Sequence, residues 1–159
     1  MIVKNLDLKK NLKNNRNFLL YGINSGLINQ TINDTLKPYF SKNIHNYDEQ
    51  EILSNPDQFK ENVLNKSFFE NEKLIIINRA SDKIKNILEE IIEKQIDDLV
   101  IIVKSGILEK KSKLRNFFEK EKNTIAIAYY EDNYRDLNSI IQKFFYEKKI
   151  KISSQSTNV

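Results

Sequence analysis

The stretch Gly22-Ile23-Asn24-Ser25-Gly26-Leu27-Ile28 is the first place in this chain where residue types and spacing could do chemistry. It follows an apolar run, where a phosphate-binding loop of the form G-x-x-x-x-G-K-[ST] would sit, with lysine for the phosphates and a hydroxyl for Mg²⁺. Here Gly26 is followed by Leu27, where the lysine is needed. The acidic residue that would hold Mg²⁺ should close the apolar run Leu74–Ile77, which instead ends in Asn78-Arg79. Both halves of an ATP-hydrolysing site are missing, and Gly22 reads as turn chemistry.

Other reactive groups are sparse. His45 is the single histidine, in a polar stretch without evident metal-ligating partners, and reads as a surface residue. Asp97-Asp98 and Glu131-Asp132 are paired carboxylates at element boundaries, where turn and N-cap duty explains them. One histidine does not assemble a Ser/His/Asp constellation, so no catalytic residue, metal site or cofactor is expected. The cluster Lys110, Lys111, Lys113 and Arg115 reads either as a patch for DNA or a partner, or as a solvated helix face.

Ser67-Phe68-Phe69 is the most informative string, lying between a helical pattern and the strand-like Lys73–Asn78. Side chains one apart on a helix diverge by about 100°, so two adjacent phenylalanines cannot share one core. Either one faces outwards, or both are accommodated at the helix–strand joint. An outward phenylalanine on a small domain marks a surface made to enter a partner's pocket, which puts partner binding ahead of catalysis.

The elements that position these residues alternate apolar runs with amphipathic helices. Phe18–Gly22 reads as a strand, and residues 25–40 place Ile28, Ile32, Leu36, Tyr39 and Phe40 on one helical face. A weak extended segment follows near Asn43–Tyr47. Asn55-Pro56 starts a helix carrying Phe59, Val63 and Leu64 into Phe68-Phe69. Leu74–Ile77, Leu99–Val103 and Thr124–Tyr129 read as strands, with Leu99–Val103 central because it is apolar on both faces. Ser81 caps a helix with Ile84, Ile87, Leu88, Ile91 and Ile92 on one face, and Ser112–Lys122 turns Leu114, Phe117 and Phe118 inward. A last helix aligns Leu137, Ile140, Ile141, Phe144 and Phe145, with Lys148, Lys149 and Lys151 suiting the negative end of its dipole. The expected architecture is an α/β three-layer αβα sandwich around a five-stranded parallel sheet, a degenerate P-loop type of fold. Residues 1–150 form the domain, and 151–159 are a polar tail.

Composition sets the remaining bounds. The 159 residues suffice for one domain with its own core, and 40% hydrophobic with 30% charged residues is a globular balance. Cysteine is absent, which removes disulfides and thiolate chemistry and fits a cytoplasmic setting. No apolar run approaches the ~20 residues needed to span a bilayer, so no membrane partner is expected. The net charge of +4 is compatible with nearby nucleic acid, yet 22 acidic residues are interspersed with 26 basic ones.

The order of elements and several strings resemble the N-terminal domain of the delta subunit of bacterial DNA polymerase III, the clamp-loader subunit. The strings are Phe18-Leu19-Leu20-Tyr21-Gly22 with Gly26-Leu27-Ile28, Ser67-Phe68-Phe69 leading into Lys73–Ile77, Lys110 through Glu119, and Tyr130-Glu131-Asp132 with Arg135-Asp136-Leu137. The resemblance runs from about residue 16 to 152, and it rests on order and spacing together. It implies a degenerate AAA+ module without productive ATP binding, which agrees with the missing phosphate loop. It also implies a hydrophobic plug for the sliding clamp (the beta subunit) at Ser67, Phe68 and Phe69, with Leu64 on the preceding turn. Phe68 stands where the family usually has leucine, and Lys66 where some members are apolar. The other implied partners are further clamp-loader subunits and, indirectly, DNA. The enzyme of which such a subunit is part is a DNA-directed DNA polymerase, although this chain carries no catalytic apparatus. The family's subunit continues into a small helical domain and a collar domain, so the tail after Ile150 is expected to begin the second domain of a longer protein. Two other functions fit the residues: a degenerate nucleotide-binding domain using the sheet's carboxyl edge, and a basic nucleic-acid-binding domain acting through the lysine cluster.

Overall fold

The computed structural model describes residues 7–40, 43–65, 72–131, 142, 144–146 and 148–150. The chain forms two compact units, Met1–Tyr129 and Tyr130–Val159. The polar tail and most of the expected last helix lie outside the described residues; within the second unit the rings of Phe144 and Phe145 meet edge to face at 5.6 Å.

Five apolar runs become five strands: β1 Asn17–Gly22, β2 Ile44–Asp48, β3 Lys73–Asn78, β4 Leu99–Ser105 and β5 Thr124–Tyr129. All pair in parallel in the order β2-β3-β4-β1-β5, with Phe18 beside Ile102 and Ile125, and Ile75 beside Ile101. The sheet is the expected five-stranded parallel one, and β4 is its central strand. Alternation along the strands sorts side chains into two cores. Leu19, Ile75, Ile77, Ile101 and Val103 face one side, while Phe18, Leu20, Leu74, Ile76 and Ile102 face the other.

The second of these faces is covered by α1 Leu8–Asn11 and by α2 Ser25–Thr31, which runs on through a π-helical turn, Ile32–Leu36, into α3 Lys37–Tyr39. The first is covered by α4 Glu49–Ser54, α5 Pro56–Leu64, α6 Lys85–Ile92 and α7 Lys113–Lys120. Burial of each large side chain contributes about 1.5–3 kcal/mol, and α6 alone buries Leu88, Ile91 and Ile92.

Several elements differ from the sequence expectation. Tyr39 is 52% exposed, whereas Phe40 is buried with its ring 5.5 Å from Phe18. The uniform helical face drawn through Tyr39 is therefore corrected. Pro38 offers no N–H and crowds the carbonyl four residues back, and the Lys37 amide reaches five residues back to the Ile32 carbonyl. The helix from Pro56 ends at Leu64, short of Phe68-Phe69, with Asn65 already extended. Its last carbonyls are taken by the Lys73 ammonium, 2.8 Å from Asn62 O and 3.1 Å from Asn65 O. The helices α1 and α4 are additional, with Leu8 and Ile52 almost wholly buried. His45 lies half-buried on the edge strand β2.

Candidate functional site

In open α/β sheets ligands gather at the carboxyl edge, where neighbouring strands send their connections to opposite faces. Here that switch falls between β1 and β4, since α2 covers one face and α7 the other. The two loops meeting there are bonded to each other: the Gly22 amide donates to the Gly106 carbonyl at 3.0 Å. The amides of Ile23 and Asn24 donate to the Tyr129 carbonyl at 3.1 and 3.5 Å, and the Ser25 amide to Ile23 at 2.9 Å. The Asn24 side chain caps α2 by accepting from the Leu27 amide at 3.0 Å, and its carbonyl accepts from Ile28. Amides that would have to converge on a phosphate are thus already committed to protein carbonyls.

Gly22 is required for that closure. Its φ is +138°, and a Cβ there would stand 2.0 Å from the Tyr129 carbonyl oxygen. The Tyr129 ring completes the plug from the α2 side. Burial raises its phenol to about 12, against its hydrogen bond with Thr31, which pulls it down. At the end of β3, Asn78 Nδ2 donates to Tyr47 O at 3.3 Å and Arg79 pairs with Asp48. β3 itself thus ends in Asn78 and Arg79, and the carboxylate beside it, Asp48 of β2, is paired with Arg79. Lys104, near the end of β4, is half-buried, and its ammonium is pulled below its usual value by burial and then by the charge of Lys37. Sequence reasoning missed this pair because it joins β4 to α3 across the fold.

The four basic candidates are divided by the structure. Arg115 turns inward, its Nε 2.7 Å from Glu119, a second nitrogen 3.3 Å from the Leu108 carbonyl, and its guanidinium 5.2 Å over the Tyr21 ring. Lys110, Lys111 and Lys113 are exposed, with Lys111 paired to Glu109 at 3.0 Å. They lead into or open α7, whose N-terminus is closed by Ser112 and by Asp82. Asp82 Oδ1 accepts from Ser112 Oγ at 2.6 Å and from the Leu114 amide at 3.0 Å. Burial raises the Asp82 carboxyl, but the bonds from Ser112, Leu114 and Lys113 and the Lys113 charge outweigh it and hold it below its usual range.

Of the plug residues, Ser67, Phe68 and Phe69 lie outside the described residues, in the connection from α5 to β3. Leu64, the last residue of α5, is half-buried and packs against the core beneath α5 and α6. Among the described residues no three His, Cys, Asp or Glu side chains are grouped to hold a metal, and no helix is long and apolar enough to cross a membrane.

No family model matches the sequence, and no curated protein matches it either. Among solved structures, the fold is similar to the DNA clamp loader delta protein of Bacillus subtilis, with a TM-score of 0.66 at 16% sequence identity. The match covers 96% of this chain and 50% of that one, so this chain spans half of its length. The likeness establishes a clamp-loader-like α/β fold.

Proposed function

We propose that this chain is a non-catalytic clamp-loader module of DNA replication that binds a sliding clamp and favours its opening through Ser67-Phe68-Phe69. The observation that carries the reading is the fold likeness to a clamp loader delta protein along nearly the whole chain. The closed loop at Gly22–Ile28 supports it, because amides already bonded to protein carbonyls suit a module that acts by contact. The same closure argues against the nucleotide-binding alternative.

The plug would act as a wedge. Burying two phenylalanine side chains contributes roughly 3–6 kcal/mol before association costs are subtracted. Such a wedge opens a ring only by as much as it binds the open form more tightly than the closed one. ATP would then be used by other loader subunits, within a DNA polymerase III assembly in the cytoplasm. Leu64 would contribute its exposed edge from the end of α5, where its other side packs on the core.

The test is binding of Phe69→Ala to the immobilised clamp of the same organism, with circular dichroism to establish that the variant folds. Loss of binding in a folded variant is expected. An unchanged dissociation constant would remove the plug from the account.

A further inference from the structure

We infer that Tyr39 and Arg16 form a second contact strip for the sliding clamp, at the amino edge of the sheet where the chain enters β3. The inference rests on the clamp reading and adds to it the residues that would flank Ser67-Phe68-Phe69.

Four described side chains build the strip. Arg16 directly precedes β1 and Glu72 directly precedes β3, so both stand at the amino ends of the strands that flank β4. Arg16 Nη1 reaches across to Glu72 Oε1 at 2.6 Å, and the guanidinium lies 5.6 Å over the Phe40 ring. Tyr39 meets the same ring edge to face at 4.9 Å. Phe40 is itself buried against Phe18, which fixes the two groups that rest on it.

Both outer groups stay available. The Tyr39 ring is half exposed, and its hydroxyl bonds to no other described residue. Arg16 is part-exposed and donates to no described side chain other than Glu72. Tyr39 also closes a helical run that passes through the π-helical turn Ile32–Leu36, a rare element that recurs at functional sites. Tyrosine and arginine are residue types that carry much of the energy of protein interfaces, and holding them in place lowers the entropy lost on binding.

The partner follows from position and charge. Glu72 is three residues from Phe69, no more than about 11 Å of extended chain. A clamp engaged by Phe69 is thus within reach of Arg16 and Tyr39. Glu72 matches the charge of Arg16, which leaves no excess of positive charge for a phosphate backbone. An apolar ring, a free hydroxyl and spare guanidinium N–H groups fit an apolar clamp surface with a carbonyl or carboxylate at its rim.

The experiment measures binding of the full chain to the immobilised clamp of the same organism, with the melting temperature of each variant. Tyr39→Ala is expected to bind at least about tenfold more weakly with its fold intact. Tyr39→Phe should stay within about fivefold of native, the loss of a single hydrogen bond. Ile107→Ala removes a side chain 73% exposed beyond the carboxyl end of β4, and it should bind as the native chain does. Should Tyr39→Ala loosen α3, Tyr39→Lys repeats the test with a long stem kept over Phe40. Native binding by Tyr39→Ala, with loss in Phe69→Ala, would overturn this inference and leave the plug standing. Loss in Tyr39→Ala, with native binding by Phe69→Ala, would support the strip and remove the plug. No binding by the native chain would overturn both. A single-stranded oligonucleotide run alongside should show no dependence on Tyr39; weaker binding of it by Tyr39→Ala would make the occupant nucleic acid and overturn the inference.

Discussion

The crevice between β1 and β4 and the outer face of α6 and α7 lie in one domain, yet they treat their polar groups in opposite ways. In the crevice, the amides from Gly22 to Ile28 that can be traced end on Gly106, Tyr129, Ile23 and Asn24, all within the protein. On the outer face, Lys110 and Lys120 are exposed and make no ion pair with another described residue. The edge at which open α/β sheets gather ligands is closed here by the chain's own carbonyls. The comparison teaches that a fold by itself does not fix what its surfaces do.

Breaking the sealed region should have the largest effect. Gly22→Ala forces a Cβ against the Tyr129 carbonyl at a φ that side chains rarely adopt. It is expected to cost more than about 3 kcal/mol in chemical denaturation, or to prevent folding. A cost below about 1 kcal/mol would mean that the β1–β5 junction yields easily.

Asp82→Ala tests the α7 N-terminus, where sealed and open regions meet. Removing the acceptor of Ser112 Oγ and the Leu114 amide is expected to cost about 1–2 kcal/mol at neutral pH. A carboxyl held below its usual value contributes stability above that value and loses it as pH falls through the folded one. The difference between native and variant should therefore be full well above pH 3.8 and narrow below it. A difference that grows in acid would contradict the hydrogen-bond account.

Lys113→Ala/Lys120→Ala tests the open region. Both side chains are exposed, so stability should change by no more than about 0.5 kcal/mol. A larger loss would mean that these lysines hold the fold together. The smallest effect is expected from ATP with Mg²⁺, which should leave the melting temperature of the native chain unchanged. A rise that grows with the logarithm of ATP concentration would reopen the crevice as a nucleotide site.

Much of this contrast is legible in the residues. The continuous apolar run Leu99–Val103 could only be a strand covered on both faces, and it is the central one. Ser81, Ser112 and Asn55 mark helix starts by accepting from amides two or three residues on. The loop that lacks a lysine after Gly26 is also the one whose amides bond to the Gly106 and Tyr129 carbonyls. The helix α4 had a readable signal in Asp48 and Glu51, which form a capping box. Other features depended on distant partners. The end of α5 is set by Lys73 returning from β3, and Arg115 is drawn inward by Glu119, Leu108 and Tyr21. Pro38 hinted at the widened turn before α3, but which ring would reach the core was decided by packing against Phe18.

Calorimetric titration of the native chain and of Phe68→Ala/Phe69→Ala against the sliding clamp of the same organism, in the absence of nucleotide, tests the central claim most directly. The account predicts saturable heat for the native chain without ATP and none for the folded double variant. Equal binding by both chains would contradict it, as would binding by the native chain that appears only when ATP is added.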